Sequence, residues 1–150
     1  MTRVSKLNID EWDPELRELS RADSATPLEQ GLTRIFAHSP EVAKGLMAFA
    51  GGLKIHRELP ERMVELVRLR VAFHNQCRSC MAIRYKDAIE DGRTEDLVCS
   101  LEEPMDADNL SDAEKIAIKY GELMATNHLS LKILRTILAI QVKTQNIILR

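Results

Sequence analysis

Apolar residues recur at intervals of three and four along most of this chain, which is the spacing of one face of an α-helix. Three of these stretches begin at proline, namely Pro27, Pro40 and Pro60, and proline is favoured in the first turn of a helix because its missing N–H needs no partner there. Another begins with Ser111 and Glu114, the two halves of a capping box. Convincing alternation of apolar and polar residues, typical of strands, is not found. The pattern predicts an all-α fold, a compact multi-helix domain.

Single residues predict several helix boundaries. Ser39 stands ahead of the second proline, so its hydroxyl is expected to cap that helix, and Gly51 and Gly52 are expected to end it. The helix that starts at the third proline should run to a break over residues 74–76. The next one should continue to Gly92, because glycine can adopt the left-handed conformation that ends a helix.

The length of 150 residues favours one domain over residues 1–150. Residues 1–26 are mostly polar and are interpreted as an N-terminal arm anchored by Trp12. Such an arm lies across its own core or reaches a neighbouring subunit. Residues 129–150 contain no acidic residue and end in an apolar run, so this atypical C-terminal segment is expected to pack in the core or against another subunit.

Charge and cysteine content argue against several kinds of protein. A formal net charge of −2 gives no clustered basic surface for nucleic acid or an anionic membrane. Neither a membrane-spanning apolar run nor a signal peptide is recognisable, so a cytoplasmic protein is expected. Three cysteines fit one redox pair and one non-catalytic cysteine better than a secreted disulfide framework. The third, Cys99, is expected to be a small residue of the core.

Cys77 and Cys80 form a C-x-x-C motif. If Asn75 or Gln76 caps the next helix, Cys77 lies in its first turn, where the helix dipole and unpaired amides favour a thiolate. Arg84, one turn beyond Cys80, could favour it further. Two inert buried thiols are the alternative, whereas zinc would need two more ligands that the sequence does not supply at a suitable spacing. The spacing therefore favours a redox pair with no metal and no bound cofactor.

Glu65 and His74 are the candidate proton carriers. Glu65 lies among apolar residues of the preceding helical stretch, and a carboxylate there either favours proton uptake through desolvation or has a partner. Helical spacing offers Arg62 or Arg68 as that partner. His74 lies three residues before Cys77 and could shuttle a proton, with a solvated loop histidine as the alternative reading.

Four short segments lead from the third proline into the cysteine pair: LPER at 59–62, ELV at 65–67, LRVA at 69–72 and CRSC at 77–80. Together they resemble the alkylhydroperoxidase D / carboxymuconolactone decarboxylase-like family. The resemblance implies an all-helical fold that assembles as a trimer or hexamer. It also implies a thiol peroxidase in which Cys77 and Cys80 reduce a hydroperoxide and Glu65 joins the proton relay. An external thiol or lipoyl-type donor would reopen the disulfide.

Two positions depart from the family's peroxidases. Ser79 and Arg84 stand where those enzymes carry histidines. Arginine cannot accept a proton at neutral pH, and general acid–base catalysis commonly contributes about 10²–10⁴-fold in rate. Ser79, Arg84 and His74 are therefore auxiliary candidates beside the cysteines and Glu65.

The leading hypothesis is a cytoplasmic, homo-oligomeric, thiol-dependent peroxidase or disulfide oxidoreductase, with Cys77 and Cys80 as redox pair and Glu65 as proton acceptor. Its partners would be a hydroperoxide and a thiol or dithiol reductant. The alternative is a redox-silent helical oligomer that keeps the fold and binds a small ligand or partner. A decarboxylase acting on a lactone acid ranks last, because that branch of the family generally lacks the C-x-x-C motif.

Overall fold

A computed structural model describes residues 3–127, and the regular structure in this range is helical. After a 3₁₀ turn at Ile9–Glu11, the α-helices are α1 (Pro14–Leu19), α2 (Pro27–Gln30), α3 (Thr33–Phe36), α4 (Pro40–His56), α5 (Glu61–His74), α6 (Arg78–Ala82), α7 (Lys86–Glu90), α8 (Glu95–Cys99) and α9 (Asp112–Thr126). No strand occurs between residues 3 and 127, and the predicted all-α fold is confirmed. The predicted C-terminal segment, 129–150, lies outside the described residues.

The described chain divides into two compact units, one ending at Glu58 and the other beginning at Leu59. The single domain expected over residues 1–150 stays a prediction. Within residues 3–127, no helix is long and apolar enough to cross a membrane.

The first unit has a small apolar core to which the N-terminal segment contributes directly. Buried side chains from this segment and from the later helices form one cluster: Trp12, Leu16, Ala22, Ala37 and Ala43. The indole N–H of Trp12 donates to the carbonyl of Leu7 at 3.4 Å, so the polar edge of the ring is paired as well. Residues 12–22 therefore form part of the core of this unit.

Helix α4 corrects two predicted boundaries. It begins at Pro40, as expected, but the Ser39 hydroxyl makes no capping hydrogen bond with any described residue. It also continues through Gly51 and Gly52 to His56. Glycine ends a helix only where the backbone turns into the left-handed region, and these two glycines keep helical dihedrals, at a typical cost of about 1 kcal/mol each relative to alanine.

The second unit is organised around α5 and α9, which pack along each other. Its core combines buried residues from α5, α8, α9 and the loop before α9: Leu66, Leu69, Leu97, Val98, Leu101, Leu110 and Ile118. Burying an aliphatic side chain of this size stabilises a fold by about 1.5–3 kcal/mol relative to leaving it exposed. This packing fixes α5, and α5 in turn carries Glu65 and leads into the cysteine pair.

A partly buried ion pair joins α5 to α9. The Arg62 guanidinium donates to Glu114 from Nε at 2.7 Å and from Nη2 at 3.3 Å. Glu114 also accepts from the backbone N–H and the hydroxyl of Ser111 at 2.9 and 2.8 Å, so the predicted capping box is confirmed. Burial raises the pKa of Glu114, but the hydrogen bonds from Arg62 and Ser111 outweigh it, and the pKa lies below its usual value.

Glu114→Gln is expected to lower the melting temperature near neutral pH and to matter less in acid. A carboxyl whose pKa is lower in the folded than in the unfolded chain stabilises the fold above its unfolded pKa, about 4.3 for glutamate. That contribution disappears as the pH falls through the folded pKa. The check is thermal unfolding of both proteins from about pH 7 to about pH 3, where the difference between them should shrink.

Glu90→Gln is the matched control. Glu90 pairs with Lys86 at 3.4 Å, but both side chains are exposed, and exposed pairs contribute little because water and salt screen them. The control should therefore unfold like the wild type across the same pH range. An undiminished difference between wild type and Glu114→Gln in acid would show that the carboxylate charge is not what stabilises this helix pair.

Candidate redox site

The cysteine pair lies just after a turn that ends α5. Gln76 adopts the left-handed conformation with φ of 51°. Its N–H donates to the carbonyl of Phe73 at 3.1 Å, and the N–H of Cys77 donates to the carbonyl of Ala72 at 3.0 Å. These two bonds define a Schellman motif, in which glycine is the usual left-handed residue. The first cysteine is thereby held by its own backbone against the end of α5.

Cys77 is the N-cap residue of α6, and Cys80 lies within that helix. The expectation that Asn75 or Gln76 would cap the helix, with Cys77 in its first turn, is wrong, because the Schellman turn uses both residues to end α5. The two sulfurs form a disulfide, with the Cα atoms 5.2 Å apart, within the usual range for such bridges. Both cysteines are half-buried, so small reactants can reach the pair.

Glu65 lies on α5 and is 3 % exposed. Its two carboxylate oxygens accept from Arg68, Oε2 from Nε at 2.6 Å and Oε1 from Nη2 at 2.8 Å. Of the two arginines that helical spacing offers as partners, the structure pairs Glu65 with Arg68, while Arg62 binds Glu114. The buried carboxylate is thus compensated by one guanidinium in a two-point ion pair, the strongest geometry for such pairs.

The same guanidinium reaches the helix of the cysteine pair. Arg68 Nη1 donates to the carbonyl of Cys80 at 2.6 Å, and Nη2 donates to the carbonyl of Ile83 at 3.1 Å. Its central carbon also lies 5.1 Å from the centroid of the Tyr85 ring, a cation–π distance. Burial disfavours the charged guanidinium, but Glu65 outweighs it, and the pKa of Arg68 is raised. Arg68 therefore connects Glu65 to the C-terminal end of α6.

Arg84 also binds that end of α6. Its Nη1 donates to the carbonyls of Met81 and Ile83, and Nε and Nη2 donate to Glu95 at 3.1 and 3.3 Å. Hydrogen bonds from Arg84, and then from Arg93, hold the pKa of Glu95 below its usual value. The guanidinium of Arg84 is therefore engaged by carbonyls and a carboxylate, and its predicted support of a thiolate stays a prediction.

These carbonyl contacts explain why one predicted boundary is wrong. The sequence predicts a continuous helix from the cysteines to Gly92, whereas α6 and α7 are separated at residues 83–85. The last carbonyls of a helix have no partners within it, and here Arg68 and Arg84 supply them. The predicted end at Gly92 is confirmed by its left-handed φ of 85°.

Comparison with known protein families finds a match over the middle of the chain. Residues 40–122, more than half of the chain, match the model of the carboxymuconolactone decarboxylase family. The chain belongs to this family. The carboxymuconolactone decarboxylase family includes alkylhydroperoxidase D-like proteins, so the resemblance expected from the sequence is confirmed. Searches of curated proteins and of solved structures gave no match.

In this family member, Ser79 and His74 are the remaining candidate site residues, and they lie at different positions relative to the disulfide. The Ser79 hydroxyl lies 3.7 Å from the sulfur of Cys77. His74 is the last residue of α5 and is exposed. Neither position tests the auxiliary role predicted for it. No group of three or more His, Cys, Asp or Glu side chains among residues 3–127 could hold a metal ion.

Cys99 is exposed, and its predicted place in the core is wrong. The buried positions of the short helix α8 belong to Leu97 and Val98, which leaves its last residue on the surface. Cys99 is consequently a free thiol that redox experiments on this family member must control for.

Arg68 is identifiable from helical spacing only as a possible partner of Glu65, and its contacts with α6 are not. The carbonyls that it binds belong to residues 12 and 15 positions further along the chain, and no periodic pattern predicts such a contact. The left-handed turn at Gln76 also goes unpredicted, because glutamine is not a residue that favours it. A basic residue one turn after a buried carboxylate is the one available signal.

Proposed function

We propose that this protein is a thiol-dependent peroxidase, a disulfide oxidoreductase that reduces hydroperoxides through the dithiol and disulfide states of Cys77 and Cys80. The observation that carries the proposal is the closed, half-buried Cys77–Cys80 disulfide at the start of α6. The buried Glu65–Arg68 pair bound to the Cys80 carbonyl supports it. The family includes enzymes of this kind.

The proposed catalytic cycle involves the protein dithiol, a hydroperoxide and an external thiol reductant. A thiolate of the pair attacks the terminal oxygen of a hydroperoxide, the O–O bond breaks, and the released alkoxide takes up a proton to leave as an alcohol. The resulting sulfenic acid condenses with the second thiol to give the disulfide and water. Two molecules of an external thiol, or one dithiol of the lipoyl type, then reduce the Cys77–Cys80 disulfide by thiol–disulfide exchange and are themselves oxidised to a disulfide. Glu65 accepts the thiol proton and returns it to the alkoxide.

For this role Glu65 must accept a proton from a thiol, and the ion pair with Arg68 does not use all the lone pairs of its carboxylate. An ionised carboxylate has about four lone-pair sites, and Arg68 occupies two of them. Arg68 also bonds the Cys80 carbonyl, so the carboxylate and one residue of the cysteine pair share a hydrogen-bonding partner. The other proposed features are a cytoplasmic location and assembly as a homotrimer or homohexamer.

The redox-silent oligomer is the second candidate, and two features favour it. Both oxygens of Glu65 are already engaged by Arg68, and Ser79 and Arg84 stand where the family's peroxidases carry histidines. In that case the fold would bind a ligand or partner without turnover, and the thiols would react at ordinary rates.

Hydroperoxide consumption separates these candidates. With cumene hydroperoxide as oxidant and dithiothreitol or dihydrolipoamide as reductant, Cys77→Ser and Cys80→Ser should each abolish catalytic consumption, because neither single thiol can close the disulfide. Cys99→Ser is the matched control and should consume peroxide like the wild type. Mild oxidation of the wild type should remove two free thiols and leave Cys99. Equal rates in all three variants and the wild type would refute the peroxidase.

A further inference from the structure

The geometry points to Arg68 as a positioning residue of the redox site, one that holds Glu65 and the Cys80 end of α6 on a single guanidinium. This inference rests on the proposed redox role of Cys77 and Cys80. Arg68 uses Nε and Nη2 for the carboxylate and Nη1 and Nη2 for the two carbonyls. One side chain thus bonds both the buried carboxylate and the C-terminal end of the cysteine helix.

The planar fork of arginine is what makes this arrangement possible. Its five N–H donors point in fixed directions in one plane, so a carboxylate and two carbonyls can be served at once. The Tyr85 ring lies at a cation–π distance from the guanidinium. A lysine would bring the same charge as a single compact ammonium and could not reproduce the two-point contact.

Arg68 controls the charge beside the pair. With Arg68 in place, the buried charge of Glu65 is compensated, and a thiolate forming at Cys80 meets a neutral ion pair. Without Arg68, the carboxylate would disfavour a second negative charge nearby. Without the charge of Glu65, the uncompensated guanidinium would favour the thiolate. The two substitutions should therefore shift thiolate formation in opposite directions.

Arg68 also fixes the spacing of the pair. Cys77 is held to the end of α5 because its N–H donates to the Ala72 carbonyl, and Cys80 is held to α5 because its carbonyl accepts from Arg68. Both cysteines are thus anchored on the same helix. Loss of the second anchor should loosen α6 and lower the equilibrium constant for disulfide closure.

Alkylation of Cys80 tests the charge effect. In a Cys77→Ser, Cys99→Ser background, Cys80 is the one remaining cysteine, and its rate with iodoacetamide across pH reports its thiolate fraction. At neutral pH we expect Glu65→Gln to raise the rate by on the order of three- to tenfold and Arg68→Gln to lower it by a similar factor. The double variant should return towards the background rate. Changes of equal sign in the two folded single variants would overturn the inference.

Arg68→Lys tests the positioning effect, and it replaces Arg68→Gln as the test of the inference if Arg68→Gln does not fold. In a Cys99→Ser background, the closure constant measured against dithiothreitol should fall about tenfold, which corresponds to a potential about 30 mV more positive. Arg70→Lys is the matched control on α5, since Arg70 binds Glu122 and the Leu101 carbonyl, and its closure constant should match the wild type. An unchanged constant in Arg68→Lys would overturn the inference.

Neither measurement requires peroxide. If the wild type consumes no hydroperoxide but the alkylation and closure results hold, the peroxidase proposal fails and the role of Arg68 in the thiol pair stands. If peroxide is consumed but Arg68→Lys and Arg68→Gln behave like the wild type, the role of Arg68 fails and the peroxidase proposal stands.

Discussion

Glu65→Gln is expected to slow hydroperoxide reduction about 10²- to 10⁴-fold, the usual contribution of a general acid or base, while alkylation of Cys80 becomes faster. Both reactions begin with attack by a thiolate, but their leaving groups differ. The alkoxide released from a hydroperoxide must take up a proton, whereas the iodide released from iodoacetamide needs none. Glutamine cannot carry that proton, and it leaves the charge of Arg68 uncompensated beside the thiol.

The peroxide rate is measured with cumene hydroperoxide and dithiothreitol in a Cys99→Ser background that keeps both cysteines of the pair. The alkylation rate of Cys80 is measured with iodoacetamide in the Cys77→Ser, Cys99→Ser background, and both assays are run near neutral pH. Glu90→Gln makes the same change at an exposed position on α7 and is the matched control, with both rates expected within about twofold of the wild type. Parallel losses in both assays for Glu65→Gln would indicate a damaged site. An unchanged peroxide rate would show that Glu65 is not the proton carrier.

The helical class and most helix starts could be predicted from the sequence because they depend on neighbouring residues. Pro40 at the first position of α4 and the Ser111–Glu114 capping box each act within one turn of the chain, and both signals hold. The helix end predicted at Gly51 and Gly52 is wrong because glycine allows a helix to end but does not force it to end. A left-handed backbone forms only where the packing of the next residues requires it, and at these two positions the helix continues.

The candidate site could be predicted only in part, for a related reason. The C-x-x-C spacing and the position of Glu65 among apolar residues are visible in the sequence, and helical spacing makes Arg68 a candidate partner for that carboxylate. The contact from Arg68 to the Cys80 carbonyl depends on α6 folding back towards α5 after the left-handed turn at Gln76. Glutamine does not predict a left-handed turn, so the direction of α6 cannot be predicted from the sequence. The contact from Arg68 to the Cys80 carbonyl, which depends on that direction, is therefore seen only in the structure.

Gly121→Ala is expected to destabilise the second unit by about 1–3 kcal/mol, the usual cost of adding a methyl group to a packed interior. Gly121 lies buried on α9 where that helix passes α5. A Cβ atom built there falls well inside contact distance of Val67 Cγ1 and 3.7 Å from Val71 Cγ2. Either the valine must leave its rotamer or the two helices must separate. Urea denaturation should show the loss as a lower midpoint.

Gly45→Ala separates this packing effect from helix propensity. Gly45 lies within α4, is exposed, and would place a Cβ with no heavy atom within 4 Å, so the same substitution should gain up to about 1 kcal/mol. Val67→Ala combined with Gly121→Ala should recover part of the loss, since the smaller side chain makes room for the new methyl group, and the two changes should be non-additive. Simple additivity would mean that Val67 does not limit the approach of α9.

Peroxide consumption by Gly121→Ala would then show whether this helix contact also aligns the redox site. Val67 lies on α5 between Glu65 and Arg68, so a shift of the helix at Val67 would displace both partners of the buried ion pair. At temperatures where the variant remains folded, we therefore expect a partial loss of consumption, and Val67→Ala in the same chain should restore part of it. Full activity in the folded variant would mean that the contact between α5 and α9 stabilises the second unit without positioning the Glu65–Arg68 pair.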